Sequence, residues 1–151
     1  MILKIRQRMA QEESGFTLVE LLVVMLILGI LAAVAIPAFL NQRAKANDSD
    51  AKSAANTAQQ AIETLATDNN GSYASANGNP GVLKTIEPTL NSAPAFTVTA
   101  GADNYNITVT ADTTGNTYSV VRNNTGNVTH PCTVANASNR GGCPTGGDWG
   151  P

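Results

Sequence analysis

An uninterrupted apolar segment near the start of the chain constrains its fold more than any other feature. Of the 25 residues in the range Phe16–Leu40, 21 are apolar, and no charged residue lies between Glu20 and Arg43. As an α-helix, twenty such residues span about 30 Å, the thickness of the hydrocarbon core of a bilayer. Because basic residues precede the segment, the positive-inside rule predicts a cytoplasmic amino terminus and export of the chain that follows.

The rest of the chain has a different composition. Only 37 of its last 111 residues are apolar, and 17 of these are alanine, although the whole chain of 151 residues averages 42% hydrophobic. The net charge of −2 argues against a basic nucleic-acid binder, and a single histidine leaves little room for histidine-based catalysis. We therefore expect a membrane-length helix followed by a polar exported part, and no enzymatic activity.

Three interpretations of the apolar segment are open from the residues alone. The first is a secretory signal peptide, since Ala33-Val34-Ala35 offers an A-x-A cleavage site. The second is a plain membrane anchor. The third gives a function to Glu20, because a carboxylate at membrane depth costs about 2.5–3.5 kcal/mol on insertion scales and neither a signal peptide nor an anchor needs it. An intramembrane carboxylate therefore calls for a partner.

The residues around Glu20 resemble the start of type IV pilins, also called class III signal peptide proteins. The resemblance is close from about Ser14 to Tyr73 and weak beyond. It is carried by Gly15-Phe16-Thr17-Leu18-Val19-Glu20, the run Leu21–Ile36, the interior Gly29 and Pro37, and Ala38-Phe39-Leu40-Asn41-Gln42-Arg43.

The resemblance implies a processing site and an assembly residue. A membrane-embedded prepilin peptidase would cut between Gly15 and Phe16, removing residues 1–15 as a leader, and the new amino terminus of Phe16 would be N-methylated. Glu20 would then pair with the Phe16 amino terminus of a neighbouring subunit, where a low dielectric strengthens the attraction. Pro37 should kink the helix, since it lacks an amide hydrogen. The family adds that the helix near Gly29 and Pro37 can melt inside a filament.

The second half of the helix, residues 41–67, carries a stripe of small apolar residues. Its members follow a 4-3-4-3 spacing and are Ala51, Ala55, Ala58, Ile62 and Leu65. This spacing favours packing against a head domain. We expect the helix to end near Asp68-Asn69-Asn70-Gly71, because glycine adopts the left-handed conformation of a helix C-cap easily.

An α+β fold follows from the remaining pattern. Residues 68–94 form a loop rich in Gly, Asn, Ser and Pro, with one short helical turn over the core. Residues 95–131 alternate apolar and polar side chains between turn signals, which predicts an antiparallel β meander of three to four strands. Its buried face would pack on the stripe. Residues 132–151 form a tail in which Cys132 and Cys143 are expected to pair as a disulfide in oxidising surroundings, as in the C-terminal loop of several pilins.

Other chemistry has weaker support. His130, Cys132 and Cys143 supply at most three zinc ligands, without a fourth at suitable spacing. Asp103, Asp112 and Asp148 suggest calcium, which secretion-system pseudopilins bind, but they lack EF-hand spacing. We therefore expect no cofactor and no metal site, with calcium binding in the head left open as the alternative.

The combined expectation is the precursor of a structural filament subunit. Its partners would be further copies of itself in a helical homopolymer, the prepilin peptidase, an assembly platform protein and an ATPase; nucleic-acid binding stays undecided. It would lie in the cytoplasmic membrane with its head outside before assembly, and in an extracellular pilus or periplasm-spanning filament afterwards. The alternatives are a pseudopilin of a type II secretion or DNA-uptake machine and a membrane-anchored exported binding domain.

Overall fold

A computed structural model describes residues 15–137 and 140–150 of the chain. The chain divides into two compact units, the first ending at Phe39 and the second beginning at Leu40. Of the expected leader, only Gly15 lies within the described residues, so the other fourteen positions carry no structural account.

One long helix, α1, occupies Leu18–Asp68. Its first half belongs to the first unit, where the side chains of residues 16–39 are exposed. By length and composition this helix is apolar enough to cross a membrane. It ends where the sequence predicts: Asn70 and Gly71 adopt φ of +54° and +87°, and the Gly71 amide donates to the Ala66 carbonyl at 2.7 Å. Pro37 lies inside the helix, and the kink and melting at this position stay predictions.

Short helices fill the segment between α1 and the sheet. A 3₁₀ turn at Ala74–Ala76 precedes α2, Pro80–Ile86, which begins with proline at a position where no amide hydrogen is needed. A second 3₁₀ turn covers Pro88–Asn91. Leu83 and Leu90 from this segment are buried in the core, and the segment has three short helices where the sequence predicted one helical turn.

The sheet has five antiparallel strands. They are β1 Phe96–Ala100, β2 Tyr105–Thr110, β3 Thr117–Arg122, β4 Val128–Thr129 and β5 Cys132–Thr133. The order is β1-β2-β3-β4, with β5 also pairing with β3. The meander is therefore confirmed, with one short strand more than expected. Strand β5 has only two residues, which is too short for an alternating pattern to predict it. Its first residue, Cys132, is one of the two disulfide cysteines.

The core of the second unit lies between the helix stripe and one face of the sheet. All five predicted stripe residues are buried, and so are the alternate residues Val98, Ile107 and Val120 of the three long strands. These three share one row, since Val98 faces Ile107 and Ile107 faces Val120. Small alanines on the helix let it approach the sheet closely, while the branched and aromatic residues of the sheet fill the volume between them.

Candidate functional site

The start of α1 carries a polar cap immediately after the expected cleavage position. Thr17 precedes the first helical residue, and its hydroxyl accepts a hydrogen bond from the Glu20 amide at 3.2 Å. The same hydroxyl lies 3.5 Å from the Glu20 carboxylate, to which it donates. This is half of a capping box, in which a threonine and a glutamate three residues later satisfy the open amides of a first turn. It holds the Glu20 carboxylate close to the helix start.

Among the described residues, Glu20 has no cationic partner within ion-pair distance, since only Arg122 and Glu63 form such a pair. Phe16 and the large apolar side chains that follow it are exposed as far as Leu40. A Cβ atom added to Gly29 would meet nothing within 4 Å. In the part of the chain that the structure describes, no contact requires glycine at position 29, and the side chain of Glu20 has only the Thr17 hydroxyl as a hydrogen-bond partner.

The predicted disulfide is present. The sulfurs of Cys132 and Cys143 are bonded, with their Cα atoms 5.8 Å apart. Two backbone hydrogen bonds hold residues 147–149 beside residues 130–132. The Cys132 amide donates to the Gly147 carbonyl, and the Trp149 amide donates to the His130 carbonyl. The loop thus ties the carboxyl-terminal segment to the edge of the sheet at β5.

A buried carboxylate on α1 receives this loop, and the sequence analysis missed it. Asp48 is fully buried. Its oxygens accept hydrogen bonds from the Thr114 hydroxyl, the Asn116 amide at 3.0 Å, the Tyr118 hydroxyl at 2.7 Å and the Gly142 backbone amide at 2.6 Å. We call these five residues the Asp48 clasp. It joins the helix, strand β3 with the turn before it, and the disulfide loop.

The clasp stabilises the ionised form of Asp48. Burial by itself raises the pKa of this carboxyl, but the hydrogen bonds from Thr114, the Gly142 amide, Tyr118 and Asn116 together outweigh it and hold the pKa below its ordinary value. Tyr118 responds in the opposite direction: burial first, then the hydrogen bond to Asp48, raise the pKa of its hydroxyl, so it stays a donor. The clasp is therefore a carboxylate surrounded by donors.

The disulfide loop approaches the helix closely beside the clasp. Lys52, one turn after Asp48, donates to the Gly142 carbonyl at 2.6 Å, and its ammonium lies 5.2 Å from the centre of the Tyr118 ring. At Gly141 (φ +53°), a Cβ atom would lie 1.7 Å from the Asp48 carboxylate. Only glycine fits at position 141, so this residue is a sequence requirement of the clasp.

A second carboxylate anchors the other end of the packed helix. Glu63 accepts hydrogen bonds from the hydroxyls of Tyr73 at 2.8 Å and Tyr105 at 2.9 Å, and lies 3.8 Å from the Arg122 guanidinium. Burial, followed by the Glu63 carboxylate, raises the pKa of both tyrosines, which therefore stay donors. The helix is thus attached to the sheet by hydrogen bonds at both ends of its apolar stripe.

The residues considered for metal binding are used or placed otherwise. Both cysteine sulfurs belong to the disulfide, and His130 stacks edge-to-face on Trp149, with ring centres 5.1 Å apart. In the described ranges, no group of three or more histidine, cysteine or acidic side chains is arranged to hold a metal ion. Asp103, Asp112 and Asp148 are all exposed.

Comparisons with known proteins agree with the sequence around the helix start. The family described as the prokaryotic N-terminal methylation motif matches residues 11–36. The fimbrial protein EcpC of Eikenella corrodens is 34% identical over 105 residues, covering 70% of this chain and 67% of EcpC. The type IV wide pilus major component PilA4 of Thermus thermophilus is 43% identical over 96 residues, covering 61% and 69% respectively.

A shorter match is to the type IV major pilin protein PilA of Myxococcus xanthus, 49% identical over 45 residues but covering only 20% of that protein. No solved structure gives a significant match. The two longer matches extend well past the apolar helix into the second unit. The chain therefore belongs to the type IV pilin family, the structural subunits of pili.

Proposed function

We propose that this chain is a prepilin, cut by a membrane-embedded prepilin peptidase between Gly15 and Phe16 and then methylated on the Phe16 amino group. The match to the N-terminal methylation motif supports this processing. Gly15 and Phe16 precede α1 and are exposed, which leaves the backbone at the scissile bond accessible to a protease cleft. The chain itself is a structural subunit, and in the cleavage reaction it is the substrate.

The observation that carries the proposal is the combination of an exposed apolar helix with one acidic residue in its first turn. The exposed side chains from Phe16 to Leu40 need a cover, which lipid provides before assembly and neighbouring helices provide afterwards. Glu20 needs a cation in that apolar surrounding, and the Phe16 amino group of the next subunit supplies one at the right depth. A contact of this kind repeats without closing, so it produces a filament.

The proposed location follows from the same helix. The precursor lies in the cytoplasmic membrane with the second unit outside, and the assembled subunit lies in an extracellular filament. A platform protein and an ATPase would supply the work of extraction. The names of the relatives, which are major pilins and fimbrial proteins, favour this role over a pseudopilin or an isolated binding domain.

The charge of Glu20 provides the test. Glu20→Gln keeps the size of the side chain and removes its charge, so cells carrying it should lose surface filaments while the membrane level of the subunit is unchanged. Filaments sheared from cells and the residual membrane pool are measured separately by immunoblot.

Glu87→Gln is the matched control, because Glu87 lies in the second unit and Gln preserves the carbonyl oxygen that accepts from Thr89. This variant should assemble normally. Normal filament yield from the Glu20→Gln strain would show that the carboxylate is not the assembly residue.

A further inference from the structure

Two asparagine–glycine pairs in the second unit differ in how the fold holds them. Asn70-Gly71 follows the end of α1, Asn77-Gly78 follows the first 3₁₀ turn, and no other asparagine in the sequence precedes a glycine. In such a pair the backbone nitrogen of the glycine can attack the side-chain amide carbon of the asparagine. Glycine has no side chain to hinder this approach. Each pair is therefore a candidate site of self-modification.

The modification is a deamidation that needs only a base and water. The base removes the proton of the glycine amide, the nitrogen bonds to the asparagine Cγ, and the Cγ–Nδ2 bond breaks with release of ammonia. Water then opens the resulting succinimide ring at either of its two carbonyl carbons. The product is aspartate, or isoaspartate with the main chain running through the former side chain. A glycine amide that donates a hydrogen bond must lose that bond before it can react.

At the first pair, a single exposed contact opposes the reaction. The Gly71 amide donates to the Ala66 carbonyl at 2.7 Å, and the same carbonyl also accepts from the Asn69 amide at 3.1 Å. Ala66 therefore keeps a donor when the Gly71 amide leaves, and helix ends open readily. The Asn70 side chain is exposed, and no hydrogen bond links it to the other residues that the structure describes. It is free to turn toward the Gly71 nitrogen.

At the second pair, both reacting groups are attached to strand β1. The Asn77 side-chain oxygen accepts from the Ala100 amide at 3.0 Å. The Gly78 amide donates to the carbonyl of Val98 at 2.9 Å, and Val98 is buried in the core. Reaction here requires two hydrogen bonds to the sheet to break together, whereas the first pair requires one at a helix end.

We propose that Asn70 is a site of spontaneous deamidation in the folded protein and that the fold protects Asn77. The product adds a negative charge close to Asp68, at the carboxyl end of α1, where the helix dipole disfavours it. Isoaspartate also lengthens the main chain between the helix and the Gly71 amide, so the contact with Ala66 is lost. The end of α1 would thus loosen as the subunit ages. This inference depends on the fold of the second unit and not on polymerisation.

The test is an ageing experiment on the full-length protein in phosphocholine micelles and mildly alkaline buffer. Trypsin releases residues 53–84, which contain both pairs, as one peptide, and tandem mass spectrometry locates the mass gain of an amide converted to an acid. In the folded protein Asn70 should react roughly fivefold faster than Asn77, the ratio expected when one further hydrogen bond must break. In urea the two rates should be similar, since only the fold distinguishes the pairs.

Asn70→Gln should stay unmodified at position 70, because the longer side chain closes its ring much more slowly. Asn56→Gln changes an exposed asparagine of α1 within the same peptide, and this matched control should leave the rate at Asn70 unchanged. Far-UV circular dichroism establishes that each variant is folded. The proposal is overturned if Asn77 reacts as fast as Asn70 in the folded protein, if Asn70 reacts only in urea, or if the same preference for Asn70 persists in urea.

Discussion

At position 48, a carboxylate lies fully buried between α1, the turn before β3 and the disulfide loop. Burying an ionised group is expensive unless its hydrogen-bonding capacity is filled, and four donors fill that of Asp48. Its contacts reach residues 66 to 94 positions away in sequence. Asp48 therefore links α1 by hydrogen bonds to two segments that are distant in sequence, the turn before β3 and the disulfide loop.

Replacing Asp48 with alanine should lower the free energy of unfolding by about 3–5 kcal/mol, because four donors lose their acceptor in a buried site. Urea unfolding of the full-length protein in micelles, followed by tyrosine and tryptophan fluorescence, measures the change. Asp50→Ala is the matched control on the same helix, since Asp50 is exposed and should change stability by less than about 0.5 kcal/mol. An equal effect of both substitutions would contradict the clasp.

The ionisation of Asp48 also predicts how stability depends on pH. Because the folded-state pKa lies below the ordinary value of 3.8, the unfolded chain takes up this proton first as the solution is acidified. The stabilisation is therefore fully present above about pH 5 and is lost as the pH falls through the ordinary pKa and then through the lower folded-state value.

Unfolding midpoints from pH 7 to pH 2 should accordingly decrease more steeply at the acid end for the unmodified protein than for Asp48→Asn, which cannot titrate. The other carboxylates are common to both proteins and cancel in the difference. Parallel curves for the two proteins would mean that Asp48 does not titrate with a lowered pKa.

On the scale of elements, regular patterns were predictable and individual contacts were not. The alanine stripe of α1 and the alternation of β1 to β3 repeat with the periods of a helix and a strand, so the sequence alone identifies their buried faces. Strand β5 has no such period because it has two residues. Asp48 also has no pattern in its neighbouring residues that would predict its burial, because the residues that cover its carboxylate, Gly141 and Gly142, are distant in sequence. The disulfide was predictable because compartment and cysteine number leave little choice.

The close approach of the disulfide loop to α1 predicts an effect at Gly141. A methyl group there would overlap the Asp48 carboxylate and would also strain a backbone with positive φ, so Gly141→Ala should destabilise the second unit by about as much as Asp48→Ala. Gly146→Ala is the control within the same segment, since its Cβ meets nothing within 4 Å.

The two substitutions should also be coupled, because Asp48→Ala removes the atom that the new methyl group strikes. The double variant Asp48→Ala/Gly141→Ala is therefore expected to lose less stability than the two single losses added together. Thermal melting of the four proteins completes the cycle. Strict additivity would show that the loop does not pack on Asp48.

In the whole molecule, the two halves of α1 differ in burial. Its second half is packed by an alanine stripe and attached by Asp48 and Glu63, whereas its first half exposes apolar side chains over a length that spans a membrane. The second unit has its own core, disulfide and polar anchors. Under the proposed function, a subunit divided in this way would pass its apolar half from lipid to neighbouring helices while its head stays folded.

The amino terminus of the mature protein tests this account most directly. Filaments or membranes from the native source are digested with trypsin, and the peptide ending at Arg43 is examined by mass spectrometry. If the chain is processed as proposed, this peptide begins at Phe16 and carries one methyl group on its amino terminus. A mature chain beginning at Ile36, after the Ala33-Val34-Ala35 site, or a chain that keeps its first 15 residues, would contradict it.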